Sequence, residues 1–221
     1  MRFHGPTVKN IYIVGIPSIL MASIGSVMTF GMNKILLRFS STAATVLGVY
    51  FKLQSFFFMP LFGMNNGIVP IIAFNYGAKE KKRITRTIHL GSIAAFIVML
   101  LGIVAFNLIP DVLMGFFNPS DDLLNIGCKA LRTISISFLF AGFCIVFSSM
   151  FQALGNGMYS LIVSVCRQLL VLLPCAYVLA AVAGLDAVWW SFPIAESVSI
   201  IISVCLLYTS PSPRDPKNLV C

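Results

Sequence analysis

Apolar residues along this chain fall in six long runs separated by short polar connections. The runs lie at about Ile11–Leu36, Thr45–Asn75, Leu90–Ile109, Ile126–Phe151, Ser160–Ala183 and Val188–Tyr208. A helix that crosses a bilayer core about 30 Å thick needs roughly 20 apolar residues, and each run supplies them. The pattern predicts an all-α integral membrane protein, six transmembrane helices forming one bundle over 11–208. The first run lacks a cleavage-type end and five more spans follow it, so it reads as a retained helix and not as a signal peptide.

Composition strengthens that reading. Of 221 residues, 58% are hydrophobic and only 10% are charged, and mean hydropathy is +0.95. A soluble domain carries about 25% charged residues because its surface faces water. The composition excludes a soluble enzyme, a disordered chain and a disulfide-stapled secreted module. Six cysteines are scattered without a C-x-x-C pair, and His4 and His89 stand apart without an H-E-x-x-H frame. No metal site, cofactor site or catalytic constellation is visible, and neither the G-x-S-x-G nor the P-loop pattern occurs.

The net charge of +8 takes its meaning from position. Between Tyr76 and His89 stand Lys79, Lys81, Lys82, Arg83 and Arg86 against the single acid Glu80. Between Pro110 and Asn125 stand Asp111, Asp121 and Asp122 with no basic residue. The positive-inside rule makes the first connection cytoplasmic and the second external, so the excess marks a membrane surface and not a nucleic acid. Six spans then leave both termini in the cytoplasm of a multi-pass plasma-membrane protein. Lys34, Arg38, Lys129 and Arg132 fall outside under this scheme, against the trend.

The second run holds Pro60, Gly63, Asn65, Asn66, Gly67 and Pro70. Prolines and glycines at that density interrupt helices, and in lipid the freed backbone groups must find partners in protein or in a wet cavity. Interrupted spans mark substrate paths in transporters, which makes Asn65, Asn66 and the flanking Pro60 and Pro70 candidates for a substrate cavity; a proline-kinked packing helix is the other reading. Lys52 and Gln54 join the candidates, although two residues turn a helix by about 200° and place them on different faces. Charges inside spans are costly and so are functional candidates. Here these are Lys52, Arg167 and Glu196. The stems of Lys52 and Arg167 are long enough to snorkel toward an interface. Glu196 is the one acid within a span and has no second acid beside it, a poor set for Na⁺. It can bond a neighbouring helix, pair with a cation or take a proton.

The run MPLFGMNNGIVPIIAFNYGAKEKKR from Met59, with its Asn75-Tyr76-Gly77-Ala78 exit and basic turn, resembles the second helix of the carboxy-terminal half of the multidrug and toxic compound extrusion (MATE) family. Gly15-Ile16-Pro17-Ser18, Phe151-Gln152-Ala153-Leu154-Gly155 and Leu173-Pro174 are similar to motifs of the first, fourth and fifth helices of that half, so the resemblance covers about Lys9–Leu207. It implies half of a twelve-helix secondary antiporter that exports amphipathic or cationic compounds in exchange for Na⁺ or H⁺. Such a half needs the missing amino-terminal half as its partner. Some members place a cation-site carboxylate on this half's first helix, where this chain aligns Gly25. The main coupling acid is therefore expected on the other half.

Two other readings stay open: a lipid-linked saccharide flippase of the same superfamily, which needs more cationic residues lining its cavity than Lys52 and Arg167 supply, and a small six-helix channel or membrane scaffold. Residues 1–10 read as a truncated cytoplasmic lead-in. Residues 209–221 form a Pro/Ser-rich tail, and LLYTSPSPRD from Leu206 resembles translated adapter sequence, which predicts a non-native end.

Overall fold

The computed structural model describes residues 5–154 and 157–209. The expected tail beyond Thr209 and the first residues of the lead-in lie outside the described residues. Helices run α1 (Gly5–Leu36), α2 (Ser41–Gly77), α3 (Lys81–Leu108), α4 (Pro110–Gly115), α5 (Asp121–Ala153) and α6 (Gly157–Val165). A π-helical segment (Cys166–Leu172) joins α6 to α7 (Leu173–Ala183), and α8 (Leu185–Val188) leads into α9 (Ser191–Thr209). Among the described residues, six helical stretches are long and apolar enough to cross a membrane. The fifth is the composite of α6, the π segment and α7, and the sixth is α8 with α9.

Local chemistry sets the ends. Ser40 in extended conformation accepts the Ala43 amide at 3.0 Å and starts α2. Ser120 caps α5 in the same way at 3.4 Å, and Asp121 and Asp122 place negative charge on its first turn, where the helix dipole favours it. At the other end of α2 the Glu80 amide reaches the Asn75 carbonyl at 2.9 Å and the Lys79 amide reaches Tyr76 at 3.1 Å. That paired closure needs a left-handed residue, and Lys79 takes the position at φ 59°.

Three expectations change here. The basic connection is only the turn 78–80, because Lys81–His89 already form the first turns of α3; charged residues with good helix propensity continue a span into the interface. The acidic connection is likewise partly helical, in α4 and the start of α5. And α2 is continuous through Pro60 and Pro70. Each proline withholds one amide hydrogen, and the turns on either side hold the helix together, as spans in lipid allow.

The core centres on α5, which packs against α2, α3, α6 and α9. In its spanning window 61% of residues are buried against 17% in α2, so the fourth span is the axis of the bundle. Phe138 of α5 meets Phe106 of α3 at 5.1 Å and Phe58 of α2 at 5.3 Å, with Tyr50 edge-on to Phe192 of α9 at 5.7 Å. Offset and edge-to-face rings of this kind add about 0.5–1.5 kcal/mol per pair beyond burial. The α3–α5 approach depends on small residues. A Cβ on Gly142 would lie 3.1 Å from Met99 Cγ and 3.5 Å from the Ala95 carbonyl oxygen. Asn107 Nδ2 also donates across this contact to Ser135 Oγ at 3.0 Å.

Candidate functional site

A cavity of about 290 Å³ opens between α2, α5, the fifth span and α9. From α2 come Gln54, Phe58, Phe62 and Asn65. A helix turns about 100° per residue, so these four fall within about 80° of one another, whereas Pro60, Asn66 and Pro70 point about 120–240° away. The structure agrees: Pro60, Asn66 and Pro70 are exposed on another side of α2 and do not line the cavity.

Lys52 is also outside it. Its Nζ lies 5.7 Å above the Phe117 ring, in the connection between α4 and α5. The stem has snorkelled to the bundle end, where a cation over an aromatic face gains about 0.5–1 kcal/mol.

Arg167 and Glu196 both reach the cavity and meet there. Arg167 Nη1 donates to Glu196 Oε1 at 2.7 Å, with side-chain exposures of 26% and 14%. Of the roles open to Glu196, pairing with a cation is the one seen, it has no second acid beside it in the cavity lining, and Arg167 does not snorkel away. The sequence held a usable signal. Arg167 stands ten residues after Gly157, where the fifth span begins, and Glu196 ten residues before Leu206, where the sixth ends. Spans running in opposite directions bring those positions to the same depth. A smaller space of about 90 Å³ also borders the pair and shares Gln54, Phe58, Arg167 and Glu196 with the main cavity.

The π segment carries Arg167 and Gln168. Pro174 follows it and cannot donate an amide hydrogen, so the regular ladder is already broken at this point of the fifth span. Wider turns of this kind recur at functional sites because they re-aim side chains. Nothing in the apolar pattern signals a π turn, and the proline alone marks the place.

The wall missed in the sequence is small and polar. Ser148, Ser149 and Gln152 line the cavity from α5, Ser164 from the fifth span and Ser199 from α9. Ser160 donates to the Ser148 carbonyl at 2.7 Å, and Cys144 Sγ to Ser199 Oγ at 3.5 Å, which ties α5 to both neighbouring spans. Two buried acceptors of the wall, Asn65 Oδ1 and Glu196 Oε2, take no hydrogen bond from any described residue. Among the described residues no cluster of His, Cys, Asp and Glu has metal-holding geometry.

The bundle resembles known transporters. The MatE family profile matches residues 17–178. The multidrug export protein MepA of Staphylococcus aureus (strain MSSA476) is 26% identical over 200 residues, which is 90% of this chain and 44% of that protein. The solved MATE multidrug transporter DinF-BH superposes with a TM-score of 0.83 at 32% identity, over 96% of this chain and 48% of that one. A transporter of the MOP superfamily from Pyrococcus furiosus shares the fold with a TM-score of 0.85 at 22% identity, over 92% of this chain and 46% of that one. The chain thus spans about half the length of the relatives it matches.

Proposed function

The chain belongs to the MatE family, and from that premise we propose that it forms the carboxy-terminal six-helix bundle of a secondary active multidrug antiporter in the plasma membrane. The transporter exports amphipathic or cationic compounds against entry of Na⁺ or H⁺, and it needs an amino-terminal bundle to enclose the path. Gln54, Asn65, Arg167 and Glu196 belong to the surface that faces the cargo. Lys52, Pro60, Asn66 and Pro70 lie outside that surface.

The observation that carries this reading is the cavity itself, a partly polar space walled by Asn65, Gln54 and the Arg167–Glu196 pair inside an otherwise apolar bundle. Polar groups at that depth cost free energy and need a use or a partner. The flippase alternative is less favoured, since it calls for several cationic residues in the wall, whereas the cavity lining holds Arg167, bonded to Glu196, and not Lys52. Coupling through this bundle has one acid in its cavity, held by an arginine, which supports a main coupling acid on the amino-terminal bundle.

The test is transport in everted vesicles from cells that express this chain joined to a MATE amino-terminal bundle. Dye accumulation that collapses when the proton or sodium gradient is dissipated supports the proposal, and the ionophore that abolishes it identifies the ion. Accumulation equal to vesicles without the protein overturns it.

A further inference from the structure

We propose that the amino-terminal end of α3 holds one anionic phospholipid. Arg86, with Lys82 one turn before it and His89 one turn after, binds the phosphate, and the acyl chains lie along the apolar face that continues from them. The site is separate from the cavity, since no residue of α3 lines that space.

One face of the helix carries both halves of such a site. Lys82, Arg86, His89, Ile93, Phe96 and Leu100 are all exposed and follow one another at alternating steps of four and three residues. That spacing keeps the six within about 80° of one another around the helix. The opposite face holds the buried Ile84, Gly91 and Gly102, where α3 packs on α2 and α5. The apolar run begins at Leu90, so Arg86 stands about 6 Å outside the hydrocarbon edge. A headgroup layer is about 5–7 Å deep on each side of a bilayer, which puts Arg86 at phosphate depth. Side chains lean toward the amino terminus of their helix, so His89 reaches into the same layer from the core edge.

The charge at this end is uncompensated. Lys79, Lys81, Lys82, Arg83 and Arg86 stand around the start of α3. Among the described residues none of the five forms an ion pair; the pairs are Lys129–Asp186 and Arg167–Glu196. The first turn of α3 has no acid, and Glu80 before it makes no side-chain capping bond. A helix amino terminus is the positive end of its dipole and favours an anion. Here it is crowded with cations instead. A phosphodiester supplies the missing charge, and arginine, lysine and imidazole N–H groups donate to its oxygens. Basic clusters beside a span attract anionic lipid, each cation adding to the affinity. A free phosphate meets the charge alone, whereas a lipid meets the charge and covers Ile93, Phe96 and Leu100 as well.

The test is native mass spectrometry of the purified chain in detergent, titrated with dioleoylphosphatidylglycerol or with dioleoylphosphatidylcholine. The two lipids have the same chains, and only the first carries net negative charge. The first phosphatidylglycerol to bind is expected to be held about tenfold more tightly than phosphatidylcholine. Lys82→Gln with Arg86→Gln is expected to cut that preference to within about twofold. Lys81→Gln with Arg83→Gln removes the same charge from the sides of the helix and is expected to keep most of it. All four positions are exposed; if the Lys82 and Arg86 double variant does not elute as the native chain does, Arg86→Gln alone replaces it, with a loss of about threefold expected. Glycerophosphoglycerol, the headgroup without its chains, is expected not to displace the lipid even in large excess. No preference for the anionic lipid, equal losses in the two double variants, or displacement by the soluble headgroup overturns the inference.

Discussion

Arg167 Nη1 and Glu196 Oε1 lie 2.7 Å apart, joining the fifth and sixth spans at one depth inside the bundle. Removing either partner leaves the other charged and poorly hydrated, a change that typically costs about 3–5 kcal/mol, whereas replacing both with neutral groups is often close to neutral. Arg167→Gln and Glu196→Gln are each expected to lower the apparent melting temperature of the detergent-solubilised chain by several degrees, and the double variant to recover most of the loss. Additive losses in the double variant would show that the pair contributes no coupling.

The contact between α3 and α5 gives a second expectation. Gly142 faces Met99 and the Ala95 carbonyl, the first a side chain that can move and the second a backbone atom that cannot. Gly142→Ala should be tolerated by a shift of Met99, whereas Gly142→Val should destabilise by about 1–3 kcal/mol through overpacking. Thermal unfolding followed by size-exclusion chromatography separates the two. Equal behaviour would mean the helices part without cost.

How far these elements can be read in advance depends on what kind of pattern encodes them. The six spans follow from apolar length, and Ser40 and Ser120 announce the starts of α2 and α5 through ordinary capping chemistry. The α2 run is harder. Pro60 and Pro70 suggest a break, but a helix held on both sides in lipid continues through them, and the residues that face the cavity are Gln54 and Asn65, eleven positions apart and so on one face. The Arg167–Glu196 pair is a relation between distant segments, legible only by comparing depths. The π segment depends on the backbone around Pro174 and leaves no hydrophobic signature.

Lys79 occupies the left-handed position that closes α2, at φ 59°, where a Cβ is unfavourable by about 1 kcal/mol. Lys79→Gly is expected to raise the apparent melting temperature slightly and Lys79→Val to lower it. The opposite order, measured under identical lipid and salt, would remove the assigned role of this turn.

Orientation is accessible to chemical labelling. Lys81 and Asp121 are both exposed, at opposite ends of the bundle by the alternation of spans. Single cysteines at these positions in a cysteine-free background should react with an impermeant maleimide from opposite faces, Asp121→Cys from outside. Reaction of both from the same face would contradict the six-span arrangement.

Cargo passing along the Gln54–Asn65 face of α2 is the central claim, and dye efflux by the assembled transporter carrying Asn65→Ala measures it most directly. Asn65 lines the cavity with an unbonded amide oxygen and supports no other described element through a side-chain hydrogen bond. At equal membrane abundance, loss of this polar side chain from the cavity wall is expected to slow dye efflux about three- to tenfold. Efflux at the rate of the unsubstituted protein would contradict the account and return this face of α2 to a packing role.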